Sequence, residues 1–216
     1  MKRSIQGAIF DMDGTLLDSM SYWRHFRVRF LEQRGLEATT ELVDALQSMT
    51  VRESIHCLKT TFSLPQSEEE ILADMMLIIR DFYERGAPVK PNAIDLLEYL
   101  KQKGVKMCIA SATDAELVEL ALQRSGLRHY FDAIFSTKTI GRSKKYPDIY
   151  RLAHEHLGTP KEATWVFEDA LYALETASAD GFLTVGIYDE DEPRGDILRK
   201  TCDVYFPNYS VFDQYF

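Results

Sequence analysis

Cysteine is scarce in this chain of 216 residues. The three present, Cys57, Cys108 and Cys202, form no C-x-x-C pair and lie in no histidine-rich stretch. That argues against a zinc site or a disulfide framework and for idle or buried thiols in a reducing compartment. Prolines number only 7 and glycines 11, and no internal repeat, low-complexity tract or long linker interrupts the chain. Long apolar runs are also missing. The opening "MKRSIQGAIF" starts basic, but its apolar stretch stops at Asp11, too short for a signal peptide, and nothing approaches the length of a membrane span. A cytoplasmic protein is expected. Basic residues are outnumbered, 25 Lys plus Arg against 34 Asp plus Glu, for a net charge of −9. A nucleic-acid or anionic-membrane partner would need a basic footprint, so neither is expected, whereas a small anionic substrate needs only a local cluster of donors. A monomer is expected.

What the chain does have is a change of period along its length. Short apolar runs bounded by turn or polar residues occur at Ile5 to Phe10, Val105 to Ala110, Asp132 to Ser136, Thr164 to Glu168 and Phe182 to Tyr188. Such runs suit strands buried on both faces of a parallel sheet. Helical stretches alternate with them at Asp114 to Ser125, Pro147 to Leu157 and Ala170 to Ala179. The alternation predicts a doubly wound, Rossmann-like α/β core over residues 1–15 and 89–216.

Residues 16–88 break the rhythm and read as an all-helical insertion. Trp23, Phe26 and Phe30 share one helical face. The stretch "SEEEILADMMLIIRDFYERG" opens on a capping-box pattern, Ser67 to Glu70, and carries Ile71, Leu72, Met75, Ile78, Ile79 and Phe82 as one stripe. Core packing accounts for that stripe. An insertion at this point hangs over the C-terminal edge of the sheet, where ligands bind in such folds.

The first predicted strand runs straight into "FDMDGTLLDS". Alternation along a strand lets Asp11 and Asp13 face one side as it ends. A turn would use the same residues, and a calcium loop begins with a similar D-x-D-G. A calcium loop, however, lies between helices and ends in a ligating Glu, whereas this segment follows a strand and offers Leu and Ser. Paired carboxylates also suit catalysis: one attacks an electrophilic centre while the other moves a proton. A second acidic strand end, "WVFEDA", supplies Glu168 and Asp169. Two such ends on one sheet edge favour a shared hard cation, Mg²⁺ above all, over helix capping. At "CIASATDA", Ser111 and the backbone N–H groups after it converge where an anion would sit, while Thr113 or Asp114 caps the helix. Lys144 and Lys145 in "GRSKKYPDIY" offer a cation to the same place.

In order and spacing, "FDMDGTLLDS", "ASAT", "KKYPDIY" and "VFEDALYALETASADG" resemble the four motifs of the haloacid dehalogenase superfamily. The resemblance covers essentially the whole chain and makes the helical insertion a cap domain. It implies that Asp11 is the nucleophile, forming an aspartyl-phosphate. Asp13 is the general acid and base, and gives its backbone carbonyl to Mg²⁺. Asp169 becomes a metal ligand with Glu168 as ligand or support. Ser111, with Ala112 beside it, and Lys144 bind the phosphoryl group. Two positions depart from the family pattern: Lys145 stands where proline is common, leaving Lys145 as the fallback to Lys144, and Ala170 replaces a frequent serine.

The same resemblance narrows the reaction. Family members that cleave carbon–halogen or carbon–phosphorus bonds lack the second aspartate, so Asp13 implies phosphoryl transfer. The β-phosphoglucomutase type carries a histidine where this chain has Trp23, and His25, two residues on, is turned roughly 200° around a helix. A phosphatase acting on a small phosphorylated metabolite is expected, with a sugar-phosphate mutase as the alternative and a silent binding module as a minor one. Arg52, with Thr50 and Glu53 beside it in "SMTVRES", is a candidate for binding the rest of the substrate. Trp23 serves packing or stacks on a sugar or base.

Overall fold

The computed structural model describes residues 3–49 and 51–216, with Gln47 and Ser48 described by backbone alone. In chain order the elements are β1 (Gly7–Phe10), α1 (Met20–Glu32), α2 (Thr40–Ser48), α3 (Val51–Thr61), α4 (Glu68–Arg85), α5 (Ala93–Gln102), β2 (Lys106–Ser111), α6 (Ala115–Arg124), β3 (Ala133–Ser136), α7 (Thr137–Ile140), α8 (Asp148–Leu157), β4 (Thr164–Glu168), α9 (Leu171–Ala179), β5 (Leu183–Ile187), α10 (Gly195–Thr201) and β6 (Val204–Phe206). The strands form one parallel sheet in the order β3-β2-β1-β4-β5-β6. The doubly wound core expected from the apolar runs is therefore present. Its strand order reverses at β1 and β4, and the crevice at the carboxyl ends of such a pair is where these sheets bind ligands.

Burial explains why these segments are strands. Every residue of β1 and β4 is buried, as continuous apolar runs in a central parallel sheet require. The Phe10 and Phe167 rings, paired in register, stack at 4.2 Å. Helix α8 lays Ile149, Tyr150, Ala153 and Leu157 on one face, against Ile9, Cys108, Ala110 and Val166 of the sheet. Cys108 is thus a core thiol, and all three cysteines are free. Sequence reading passed over α5, α10 and β6.

The chain divides into two compact units, Met1–Met20 with Gly86–Phe216, and Ser21–Arg85. The seams therefore fall at Met20/Ser21 and Arg85/Gly86, not at residues 15/16 and 88/89. Backbone pairing is the reason. Lys90 N–H donates to the Leu16 carbonyl at 2.9 Å and Asp18 N–H to the Pro88 carbonyl at 2.8 Å, so the outgoing and returning strands of chain are tied together within the sheet-bearing unit.

Within the helical unit, α4 opens on a reciprocal capping box: Glu70 N–H donates to Ser67 Oγ at 3.1 Å and Ser67 N–H to a Glu70 carboxylate oxygen at 2.7 Å. Its buried stripe is Ile71, Met75, Ile78, Ile79 and Tyr83; Leu72 and Phe82 are half-buried. Trp23 packs edge-on to Phe26 and donates its indole N–H to the Tyr83 hydroxyl at 3.0 Å. Among the described residues no helix is long and apolar enough to cross a membrane.

Candidate active site

Two strand ends bring three acids to the switch point. Asp11 follows β1, Glu168 ends β4 and Asp169 comes directly after it. All three are buried, and one oxygen from each lies within 4.8 Å of the others. Between Asp11 and Glu168 sits the ammonium of Lys144, itself 3% exposed. Its Nζ donates to Asp11 Oδ1 and, at 2.6 Å, to Glu168 Oε1. Lys145, one residue on, is exposed. The structure thus settles which lysine of the pair belongs to the cluster, and it is Lys144.

Glu168 and Asp169 are each held by a further hydroxyl. The buried Tyr150 hydroxyl donates to Glu168 Oε1 at 2.8 Å, so that oxygen serves two donors. Thr15 donates to Asp169 Oδ1 at 2.8 Å, and Tyr209 donates to the Thr15 carbonyl at 2.9 Å. Gly14 lets the chain pass Asp169: its φ is +81°, and a Cβ there would lie 2.3 Å from Asp169 Oδ2. Asp13 stands apart from the three-carboxylate cluster. Its Oδ1 accepts from the Ser19 hydroxyl at 2.7 Å and its Oδ2 from Thr113 at 2.8 Å.

Ser111, at the end of β2 and 1% exposed, accepts the Thr113 N–H at 3.0 Å. Ala112 is exposed at the same turn. Asp114, not Thr113, caps α6, through the Glu116 N–H at 3.0 Å. Thr113 spends its hydroxyl on Asp13. Arg52 and Glu53 are exposed in the first turn of α3, in the other unit, and Thr50 lies outside the described residues. Sequence reading named the acids, Ser111 and Lys144, but missed Thr15, Tyr150 and Tyr209. The inward face of α8 was a signal for Tyr150. Tyr209 had none, because only the fold brings it to Thr15.

Three carboxylates and one ammonium leave the cluster short of positive charge. Burial, with Glu168 and Asp13 adding to it, outweighs Lys144 and pushes Asp11 up to about 7 from an ordinary 3.8. Burial first, then Asp11 and Glu168, raise Asp169 well above the carboxylate range, against the pull of the Thr15 hydroxyl. For Lys144, burial works against the charge, but Asp11 and Glu168 outweigh it and hold the amine protonated. An all-oxygen donor set in charge deficit fits a small hard cation. Carboxylates and an ammonium gathered at one sheet edge are groups that phosphoryl transfer can use.

Residues 5–179 match the family described as haloacid dehalogenase-like hydrolase. The chain belongs to this family. Among curated relatives, it is 27% identical over 82% of its length to a phosphorylated carbohydrates phosphatase of Thermotoga maritima, of which it covers 82%. It is likewise 27% identical, over 84% of its length and 95% of the relative, to the fructose-1-phosphate phosphatase YqaB of Escherichia coli K12. A crystal structure of a β-phosphoglucomutase from Clostridium difficile shares the fold at a TM-score of 0.71 and 16% identity, covering 95% of this chain and 92% of that one.

Proposed function

We propose that this hydrolase releases phosphate from a small phosphorylated carbohydrate by way of an aspartyl-phosphate on Asp11. The chain is a phosphoric monoester hydrolase: the family match spans residues 5–179 and the curated relatives it resembles are phosphatases. The carbohydrate is read from those two relatives, both named for phosphorylated sugars. The observation that carries the mechanism is the buried Asp11–Lys144–Glu168 chain of contacts beside Asp169.

In this reading Asp11 attacks phosphorus in line with the leaving oxygen, and Asp13 gives that oxygen its proton. Lys144, kept charged by its two carboxylates, faces the negative oxygens of the transferring group, with the Ser111 hydroxyl and the Ala112 backbone beside it. Asp13 then takes a proton from the water that cleaves the aspartyl-phosphate. Ser19 and Thr113 hold Asp13 ready for both transfers. Mg²⁺ is the cation that suits the site, held by the Asp11 and Asp169 carboxylates and the Asp13 carbonyl. When bound it supplies the positive charge the cluster lacks. Glu168, with Oε1 given to Lys144 and Tyr150, supports that group chiefly by anchoring the lysine. Arg52, with Thr50 and Glu53 beside it in sequence, is the candidate for binding the rest of the substrate.

The test is phosphate release from a panel of phosphomonoesters with Mg²⁺ and with EDTA, including β-glucose 1-phosphate followed by product analysis. Release from small sugar phosphates that EDTA stops and Asp11→Asn abolishes, with the variant still folded, is the expected result. Glucose 6-phosphate appearing in place of free phosphate would make the chain a mutase instead. Turnover at a near-native rate in Asp11→Asn would sink the covalent route.

A further inference from the structure

Helix α9 begins at Leu171, two residues after Asp169, and its N-cap side chain makes no capping bond. Its N-cap residue is Ala170, extended at φ −89° and ψ 120°, with no side-chain acceptor to offer. The first turn of a helix leaves N–H groups without intrahelical partners, and Ser, Thr, Asp or Asn at this position ordinarily serves one of them. Here the acceptor comes from 21 residues along the chain: Leu171 N–H donates to Glu192 Oε2 at 3.1 Å. The other Glu192 oxygen accepts the Arg194 N–H at 2.9 Å, and the side chain is only 11% exposed.

The turn that carries Glu192 is itself fastened. Asp189 accepts the Asp191 N–H at 2.9 Å through Oδ1 and the Lys90 ammonium at 2.8 Å through Oδ2. The Lys90 ammonium also reaches the Tyr188 carbonyl at 2.7 Å. Glu192 is therefore presented from a braced turn, and its negative charge faces the positive end of α9. The backbone it holds is the one from which the Asp169 carboxylate projects. Glu192 lies beyond residue 179, where the match to the family ends.

We infer that Glu192 is a positioning residue for Asp169: by capping α9 from the β5–α10 turn it does the work of the acceptor absent at Ala170, and it fixes where the Asp169 carboxylate stands for the cation. This rests on the reading that Asp169 holds Mg²⁺. Partners that orient a ligating carboxylate typically change metal affinity 10–100-fold when removed.

The experiment measures Mg²⁺ binding to the full chain by calorimetry, in the absence of substrate, alongside metal-free melting curves. Asp169→Asn is the control and is expected to abolish binding. Glu192→Ala is expected to weaken Mg²⁺ about tenfold. Ala170→Ser placed in the Glu192→Ala chain is expected to recover most of that loss, because a hydroxyl at the N-cap accepts from the second or third N–H of the same turn and so holds the helix start locally. Should the alanine variant not fold, Glu192→Gln carries the same comparison, with a smaller weakening and the same recovery. Unchanged affinity in the Glu192 variant, or a loss that Ala170→Ser leaves in place, overturns the inference while the metal site stands. Mg²⁺ binding that survives Asp169→Asn overturns the metal site and the inference with it.

Discussion

A carboxylate taken out of water resists ionising unless positive charge comes with it, and in Asp11 burial wins over the one lysine present. Folded Asp11 keeps its proton up to about pH 7, while the unfolded chain loses it near 3.8. Folding therefore holds the extra proton, and the metal-free protein loses stability as pH rises through that window. Asp169 shifts in the same direction and adds to the loss. Lys144 does not offset it, since a raised lysine contributes fully at every pH below its ordinary 10.5. The melting temperature without metal is thus expected to fall between about pH 5 and pH 8. Mg²⁺, which supplies the charge otherwise provided by protons, is expected to raise it more at the upper end. Thermal scans with Mg²⁺ and with EDTA at both values test this, and equal Mg²⁺ shifts would sink it. Lys144 itself is the second test at this scale. Lys144→Ala leaves two buried carboxylates facing each other and is expected to cost about 3 kcal/mol as well as turnover. Lys145→Ala, at an exposed position, is expected to leave both near the wild-type values. If the two variants behaved alike in denaturant titration and assay, the placement of Lys144 would be wrong.

At the scale of elements, caps decide how securely helix ends are held. The Ser67–Glu70 box satisfies two N–H groups at the start of α4, an eighteen-residue helix. Ser67→Ala is expected to lower stability by about 1 kcal/mol. Urea unfolding followed by circular dichroism measures it, and no shift in midpoint would show that the box contributes nothing. That box was legible in sequence because its signal is local: four residues at fixed spacing. The five longest strands were legible for the same reason, each a compact apolar run between turns. The acids and Ser111 could be placed because a strand end is a place a sequence marks. What could not be read depends on contacts made at a distance. β6 has three residues, Val204–Phe206, too few for any period to show. Thr15, Tyr150 and Tyr209 act through hydrogen bonds that exist only once the sheet has formed, and the Glu192 cap replaces a local signal with a remote one. Trp23 illustrates the converse: its sequence position allowed stacking on a sugar, but its N–H and ring are engaged by Tyr83 and Phe26.

Seen across the whole molecule, the tail of the chain is part of the core it follows. Phe206 is 0% exposed, Tyr209 1% and Phe216 4%. The Phe206 and Phe216 rings pack against Phe167 of β4 and Tyr209 packs edge-on to Phe206, with Phe216 also edge-on to Trp165 at 5.2 Å. Burying a large apolar side chain stabilises by about 2 kcal/mol, so the three together contribute about 6. Domains of this kind are stable by only about 5–15 kcal/mol in total, which makes that contribution decisive. The tail also reaches the active site, since Tyr209 holds the Thr15 carbonyl and Thr15 holds Asp169. A chain ended after Asp203 is therefore expected to lose its cooperative melting transition and its Mg²⁺-dependent activity together, although every residue of the four motifs remains. Circular dichroism melting and phosphate release on the shortened chain make the comparison. A truncated protein that still melts cooperatively within a few degrees of the full chain would show that the sheet up to β5 closes its own core, and that the aromatic tail covers it without holding it.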